Sequence, residues 1–241
     1  MAQTQLSSQD KRLTLLTSDL GLIDVYAKVV RGKKGRAAAA TEVLAYSEFC
    51  LFKGKTRYIV DAADLESNFF GLREDLQSLS LAAYFCELCR FVLPGEDNGG
   101  ECLRLLLNTL YLLEHKKRSP AFLKAVFELR LLSLCGFAPD MEGCAVCGEY
   151  EEGQEYFFLP GEGQLACRDC LSALPQETVR LPIPAGVRMA FCHVIQSEEK
   201  AIYSFRLSPE GEVAFAELAE AFAVFHIGGQ FKSLEFYKSI L

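Results

Sequence analysis

The sequence predicts an α+β multidomain protein: a small N-terminal β-barrel, then an α-helical domain carrying an inserted four-cysteine zinc finger. Three observations predict it. Between residues 13 and 63, short segments alternate apolar with polar side chains, the period of half-buried strands. From about residue 70 the apolar positions recur at helical spacing. Two Cys-x-x-Cys pairs then flank a Gly- and Glu-rich loop at residues 143–171.

The barrel elements come first. In GLIDVYAKVV, Ile23, Val25, Ala27 and Val29 alternate with Asp24, Tyr26 and Lys28. In EVLAYSEFCLF, Val43, Ala45, Phe49 and Leu51 share one face, and RYIVDAA is a further strand rich in β-formers. The connectors TSDLG, RGKKGR and FKGKTR are short and polar, as antiparallel turns require. Several short strands in such a span suggest a small barrel. The helices follow. DLQSLSLAAYFCELCRFVL has the density of a buried helix, PGEDNGG breaks it, and ECLRLLLNTLYLLEH is a second. SPAFLKAVFELRLLSLCG opens on Ser119 as N-cap with Pro120 at the first helical position, and Gly136 stops it. PIPAGVRMAFCHVIQS reads as helical from Pro184; the next helix starts at Ser208-Pro209 and stops at Gly228.

The expected division is 1–70 for the barrel, 71–142 with 175–241 for the helical domain, and 143–174 for the cysteine module. No apolar run is long enough for a transmembrane helix; the richest, LRLLLNTLYLL, is interrupted by Arg104 and Asn108. The N-terminus lacks the pattern of a secretory signal, so a cytoplasmic protein is expected. Ten cysteines in 241 residues, half of them hydrophobic, do not suggest a disulfide scaffold. The six cysteines outside the two pairs, including Cys86 and Cys89 in YFCELCRF, read as small buried hydrophobes.

Cys144, Cys147, Cys167 and Cys170 have the form C-x2-C-x19-C-x2-C. Two intervening residues let both thiolates of a turn reach one tetrahedral ion at about 2.3 Å. The ligand set is soft, so zinc is expected. A catalytic zinc keeps an open position and usually recruits His or a carboxylate. Here sulfur fills all four positions, so the zinc is expected to be structural. Its module is a polar loop with little core of its own.

The chain carries −7 overall, yet residues 1–60 hold ten Lys/Arg against five Asp/Glu, or +5, leaving −12 for the remainder. Such asymmetry suggests a polyanion partner for one part of the molecule. RGKKGR supplies Arg31, Lys33, Lys34 and Arg36; FKGKTR supplies Lys53, Lys55 and Arg57. These residues are the candidate contacts to nucleic-acid phosphates. Tyr26, Tyr46 and Phe52 offer faces on which bases stack. Lys116, Lys117 and Arg118 form a weaker cluster between two helices. His115, His193 and His226 cluster with no nucleophile or carboxylate in the sequence, and nothing assembles a catalytic site.

The order of parts, and above all FELRLLSLCGFAPDMEGCAVCG (127–148) with its Gly136-Phe137-Ala138-Pro139-Asp140 turn, resembles the RecO family of bacterial DNA repair proteins. DKRLTLLTSDLGLIDVYAKVVRGKKGR (10–36) looks like that family's barrel start, and FKSLEFYKSIL like its C-terminal helix. The family usually opens with a further strand of the type G-[IL]-V-L; here MAQTQLSSQ stands in its place, which leaves closure of the barrel there open. The resemblance implies an oligonucleotide/oligosaccharide-binding (OB) fold before the helical domain and its zinc finger. It implies non-enzymatic work near the nucleoid: binding single- and double-stranded DNA, annealing strands, and helping RecA displace single-strand-binding protein together with RecR. Two other classes compete: a zinc enzyme acting on nucleic acid, and a zinc-containing protein-interaction adaptor without DNA binding of its own.

Overall fold

KRLTLLT and GLIDVYA form a β-hairpin because every second residue is apolar. Leu13, Ile23, Val25 and Ala27 turn inward to join Ala40, Val60 and Ala63 in one buried cluster. The strands are β1 (Ala2–Gln5), β2 (Lys11–Thr17), β3 (Gly21–Ala27), β4 (Tyr46–Lys53) and β5 (Tyr58–Ser67). Among the described residues they form one five-stranded sheet in the order β1-β2-β3-β5-β4, in which β3 and β5 run parallel and the other neighbours antiparallel. This N-terminal sheet is OB-like, partly open as that barrel is. Despite its polar sequence, AQTQ is a strand, paired with β2 from Ala2↔Thr14 to Gln5↔Lys11. The structure is a computed structural model and describes residues 1–6, 10–27, 36–55, 57–93, 99–228 and 231–241.

One strand starts later than its pattern suggests. Val43 and Ala45 lie in a turn, not in β4. The alanine-rich segment before them forms a short helix, α1 (Arg36–Ala39), and the Thr41 hydroxyl donates to the Ala38 carbonyl at 2.9 Å. Leu44 adopts a left-handed backbone (φ 67°) that drives its side chain into the core, so extended pairing cannot begin before Tyr46.

The chain forms two compact units, residues 1–117 with 231–241, and residues 118–230. The first contains the sheet, a 3-10 turn (Phe70–Glu74), α2 (Leu76–Val92) and α3 (Gly99–Glu114). Asp75 caps α2, its carboxylate accepting from the Ser78 amide at 3.1 Å. Helix α3 begins two residues earlier than its apolar pattern, at Gly99. A Cβ there would stand 2.5 Å from the Thr17 carbonyl oxygen and 2.6 Å from Gly21 Cα, so only glycine lets the helix start rest on the β2–β3 turn.

The second unit contains α4 (Pro120–Leu134), β6 (Tyr156–Leu159), β7 (Gln164–Cys167), β8 (Leu181–Ile183), α5 (Ala185–Gln196) and α6 (Pro209–Ile227). The Ser119 and Ser208 hydroxyls cap α4 and α6 by accepting from the Phe122 and Gly211 amides at 3.2 and 3.1 Å. Gly136 and Gly228 follow the two helices with φ of 90° and 60°. Phe122, Phe191, Phe215 and Phe222 are fully buried among these helices. Within that core Lys124 reaches Glu128 at 2.9 Å and Glu220 at 2.7 Å. Burial works against the ammonium, but the two carboxylates outweigh it and raise the lysine pKa above its ordinary 10.5. Helix α7 (Lys232–Ser239) returns to the first unit and packs on α2, with Phe231 edge-on to Tyr84 at 5.7 Å.

Candidate metal centre and nucleic-acid face

The metal centre is assembled from two turns. Cys144 N–H donates to the Glu149 carbonyl at 2.9 Å, and Gly148 N–H to the Cys144 carbonyl at 2.8 Å, so the chain doubles back at once. Gly148 sits at φ 77°, where a side chain would be strained. Ala145 N–H reaches the Leu165 carbonyl at 2.7 Å and lays this turn beside β7. Cys167 ends β7, and Cys170 lies in the following 3-10 turn, Arg168–Ala173.

The result is four sulfur atoms within 4.8 Å of one another, Cys147 and Cys167 being 4.0 Å apart. Sulfurs bound at about 2.3 Å to one tetrahedral ion lie roughly 3.8 Å apart, so the four sit where a single metal ion fits. Burial opposes ionisation of Cys144. The amides of Cys147, Cys167 and Val146 outweigh it and hold its thiol down to about 6; Val146 N–H lies 3.4 Å from the sulfur. Cys170 is pushed up to about 12, chiefly by its thiol contact with Cys167. Four thiolates at this spacing repel one another unless a cation lies between them.

The module has more of its own structure than a polar loop. β6, β7 and β8 form a three-stranded sheet in the order β7-β6-β8. From it Phe158 projects between Phe191 and Phe222, 5.3 and 5.9 Å away. Arg188 of α5 donates to the Met141 carbonyl at 2.7 Å and lies 4.0 Å from the Tyr150 ring, a second tie between module and helix.

The N-terminal sheet and its turns carry those of the other candidate residues that are described, apart from Arg36. Pairing places Thr4, Arg12, Tyr26, Ile59 and Phe52 side by side in one row across all five strands. Phe52 is 64% exposed and Tyr46 40%. Arg57 holds its guanidinium 4.9 Å from the Tyr26 ring, and Lys53 its ammonium 5.6 Å from the Tyr58 ring. Lys55 is exposed in the turn between them. Arg31, Lys33 and Lys34 lie outside the described residues, and Arg36 opens α1. Arg12 belongs to this face although its charge alone does not single it out; the alternation of KRLTLLT is the signal that does.

Two sequence expectations change. Arg118 is not a free cation: it donates to the Tyr203 carbonyl and to that of Phe205 at 2.6 Å, and covers the Phe122 ring at 4.7 Å. Of the six remaining cysteines, Cys86, Cys89 and Cys102 are buried as expected, but Cys135 and Cys192 are half-buried and Cys50 is exposed on β4. Among the described residues no helix is long and apolar enough to cross a membrane.

Comparison with known proteins supplies a family. The description "Recombination protein O C terminal" matches residues 73–235. DNA repair protein RecO of Acetivibrio thermocellus is 31% identical over 96% of this chain and 90% of its own length. That of Symbiobacterium thermophilum is 29% identical over 96% and 91%, and that of Dehalococcoides mccartyi strain CBDB1 is 33% identical over 86% and 80%.

Proposed function

Because the chain belongs to the RecO family of DNA repair proteins, we propose that it is a non-catalytic recombination mediator. It binds single- and double-stranded DNA, anneals complementary strands, and with RecR helps load RecA onto DNA coated by single-strand-binding protein. Its place of work is the cytoplasm, at the nucleoid. The carrying observation is the row Arg12–Tyr26–Ile59–Phe52, exposed at Arg12 and Phe52 and half-buried between them, with Arg57 lying over Tyr26. An exposed aromatic beside cations on an OB-like sheet is what sequence-tolerant single-strand binding uses: rings stack on bases while guanidinium and ammonium groups meet phosphates.

Arg31, Lys33, Lys34, Arg36, Lys53, Lys55 and Arg57 supply those phosphate contacts in this reading. The barrel, 1–70, handles DNA; the helical part, 71–142 with 175–241, is the scaffold; the module at 143–174 is the zinc finger. Zinc, held by Cys144, Cys147, Cys167 and Cys170, closes the two turns and does no chemistry, because four thiolates leave it no open position.

The test is single-stranded DNA binding across a salt series, with annealing of complementary oligonucleotides in parallel. Each phosphate contact on a single strand adds about −0.7 to the slope of log affinity against log salt. Changing Lys33, Lys34 and Arg36 together to Ala is expected to flatten that slope by roughly two and to slow annealing, with metal content unchanged. A wild-type protein with no salt-sensitive DNA binding would favour the adaptor reading instead.

A further inference from the structure

Helix α3 ends in an unusual way. Lys117 N–H donates to the Leu112 carbonyl at 2.9 Å and Lys116 N–H to the Leu113 carbonyl at 3.1 Å. This is the cap in which glycine is the stable choice, because the residue after the helix must take a left-handed backbone. That residue here is Lys116, at φ 50°. A long cationic side chain therefore stands where a side chain is disfavoured, and such an outlier calls for a function.

Its surroundings point to one. Tyr111 is 51% exposed, and its ring lies 4.2 Å from that of His115, which donates from Nδ1 to the Tyr111 carbonyl at 2.9 Å. Lys116 and Lys117 are exposed directly beyond the rings. Of the nearby acids, Glu114 accepts from the Gly71 amide at 2.8 Å and holds its other carboxylate oxygen 3.9 Å from His115 Nδ1, and Asp75 accepts from the Ser78 amide at 3.1 Å. The carbonyl end of a helix also favours cations. We infer that Tyr111, His115, Lys116 and Lys117 form a second contact for single-stranded DNA, with the ring pair taking a base and the two ammonium groups taking phosphates.

The proposal rests on the DNA-binding reading and extends it. Strand β5 runs from the Arg57 end of the sheet towards Gly71, which Glu114 holds at the end of α3. Ten residues of strand span at most about 33 Å. At roughly 3.4 Å per stacked nucleotide, the length of that strand is matched by at most about ten nucleotides.

The experiment compares oligothymidylates of about six and about thirty nucleotides by fluorescence anisotropy. The proteins are wild type, Tyr111→Ala, Lys116→Gly, and Lys116→Gly with Lys117→Gln. Wild type is expected to bind the long strand more tightly. Tyr111→Ala loses roughly tenfold on the long strand and nothing on the short one. The double lysine variant flattens the salt slope for the long strand by about 1.4. Lys116→Gly melts no lower than wild type, because glycine suits the cap, yet binds the long strand more weakly. Unchanged long-strand binding in all variants overturns the second contact and leaves the sheet face intact. Absence of wild-type binding at either length overturns both. Loss of binding to an acidic peptide with DNA binding retained would assign the patch to a protein partner and overturn the proposal.

Discussion

The ring of Phe158, in the cysteine module, stands edge-on to that of Phe191 in α5 with centroids 5.3 Å apart and planes at 65°. Both side chains are fully buried. The module is thus held by packing as well as by its sulfurs, and the two anchors are separable. Phe158→Ala is expected to cost about 3–5 kcal/mol, measured by urea denaturation, and to weaken the whole of the 118–230 unit.

Replacing a sulfur acts elsewhere. Cys147→Ser is expected to abolish stoichiometric zinc, which elemental analysis of the native protein should find at one per chain. Hydrogen exchange should then rise around the Cys144 and Cys167 turns while α4 and α6 stay protected, because Phe158 still anchors β6. DNA binding by the sheet should persist in part. Metal binding displaces thiol protons, so zinc retention should fall as pH falls.

Lys124 carries a different kind of risk. Removing the cation between Glu128 and Glu220 leaves buried carboxylates without their shared partner, so Lys124→Met should cost about 3–5 kcal/mol at neutral pH. The lysine pKa is raised on folding. Its contribution is therefore fully present below the ordinary value of 10.5 and is lost as pH rises through the folded value. The stability gap between wild type and Lys124→Met, followed by denaturation at stepped pH, should narrow in that alkaline range, and also at acid pH where Glu128 and Glu220 protonate.

Phe52 makes the converse prediction. It is 64% exposed, so Phe52→Ala removes little packing and should leave the melting temperature nearly unchanged. If it stacks on a base, single-strand affinity falls by about 1–3 kcal/mol with no change in salt slope. Arg57→Ala should instead reduce the slope. Anisotropy titrations at several salt concentrations separate the two effects.

What was legible in the sequence was local. Ser119-Pro120, Ser208-Pro209 and Gly228 mark helix ends through hydrogen bonds made within a turn, and the structure keeps all three. The four cysteine ligands were legible because spacing alone brings each pair together. What was not legible depended on distant partners. Lys124 and Glu128 look like an ordinary exposed i,i+4 pair, and only the packing of α6 buries them. Arg118 looks like part of a basic loop until the carbonyls of Tyr203 and Phe205 meet it. Val43 and Ala45 alternate correctly for a strand, but the left-handed Leu44 between them defeats the pattern. The strand YFFL was missed because its flanks are polar; its run of aromatic β-formers before the turn PGEG was the available signal.

The first unit is made of residues 1–117 and 231–241, with the whole of the second between them. During synthesis, then, the seat for α7 on α2 waits while the intervening unit is translated. At about 5–20 residues per second that delay is roughly 6–23 s. Until Phe231 arrives beside Tyr84 and Ser233 beside Glu87, the nascent first unit presents an apolar α2 face. That interval is when a chaperone would be needed most.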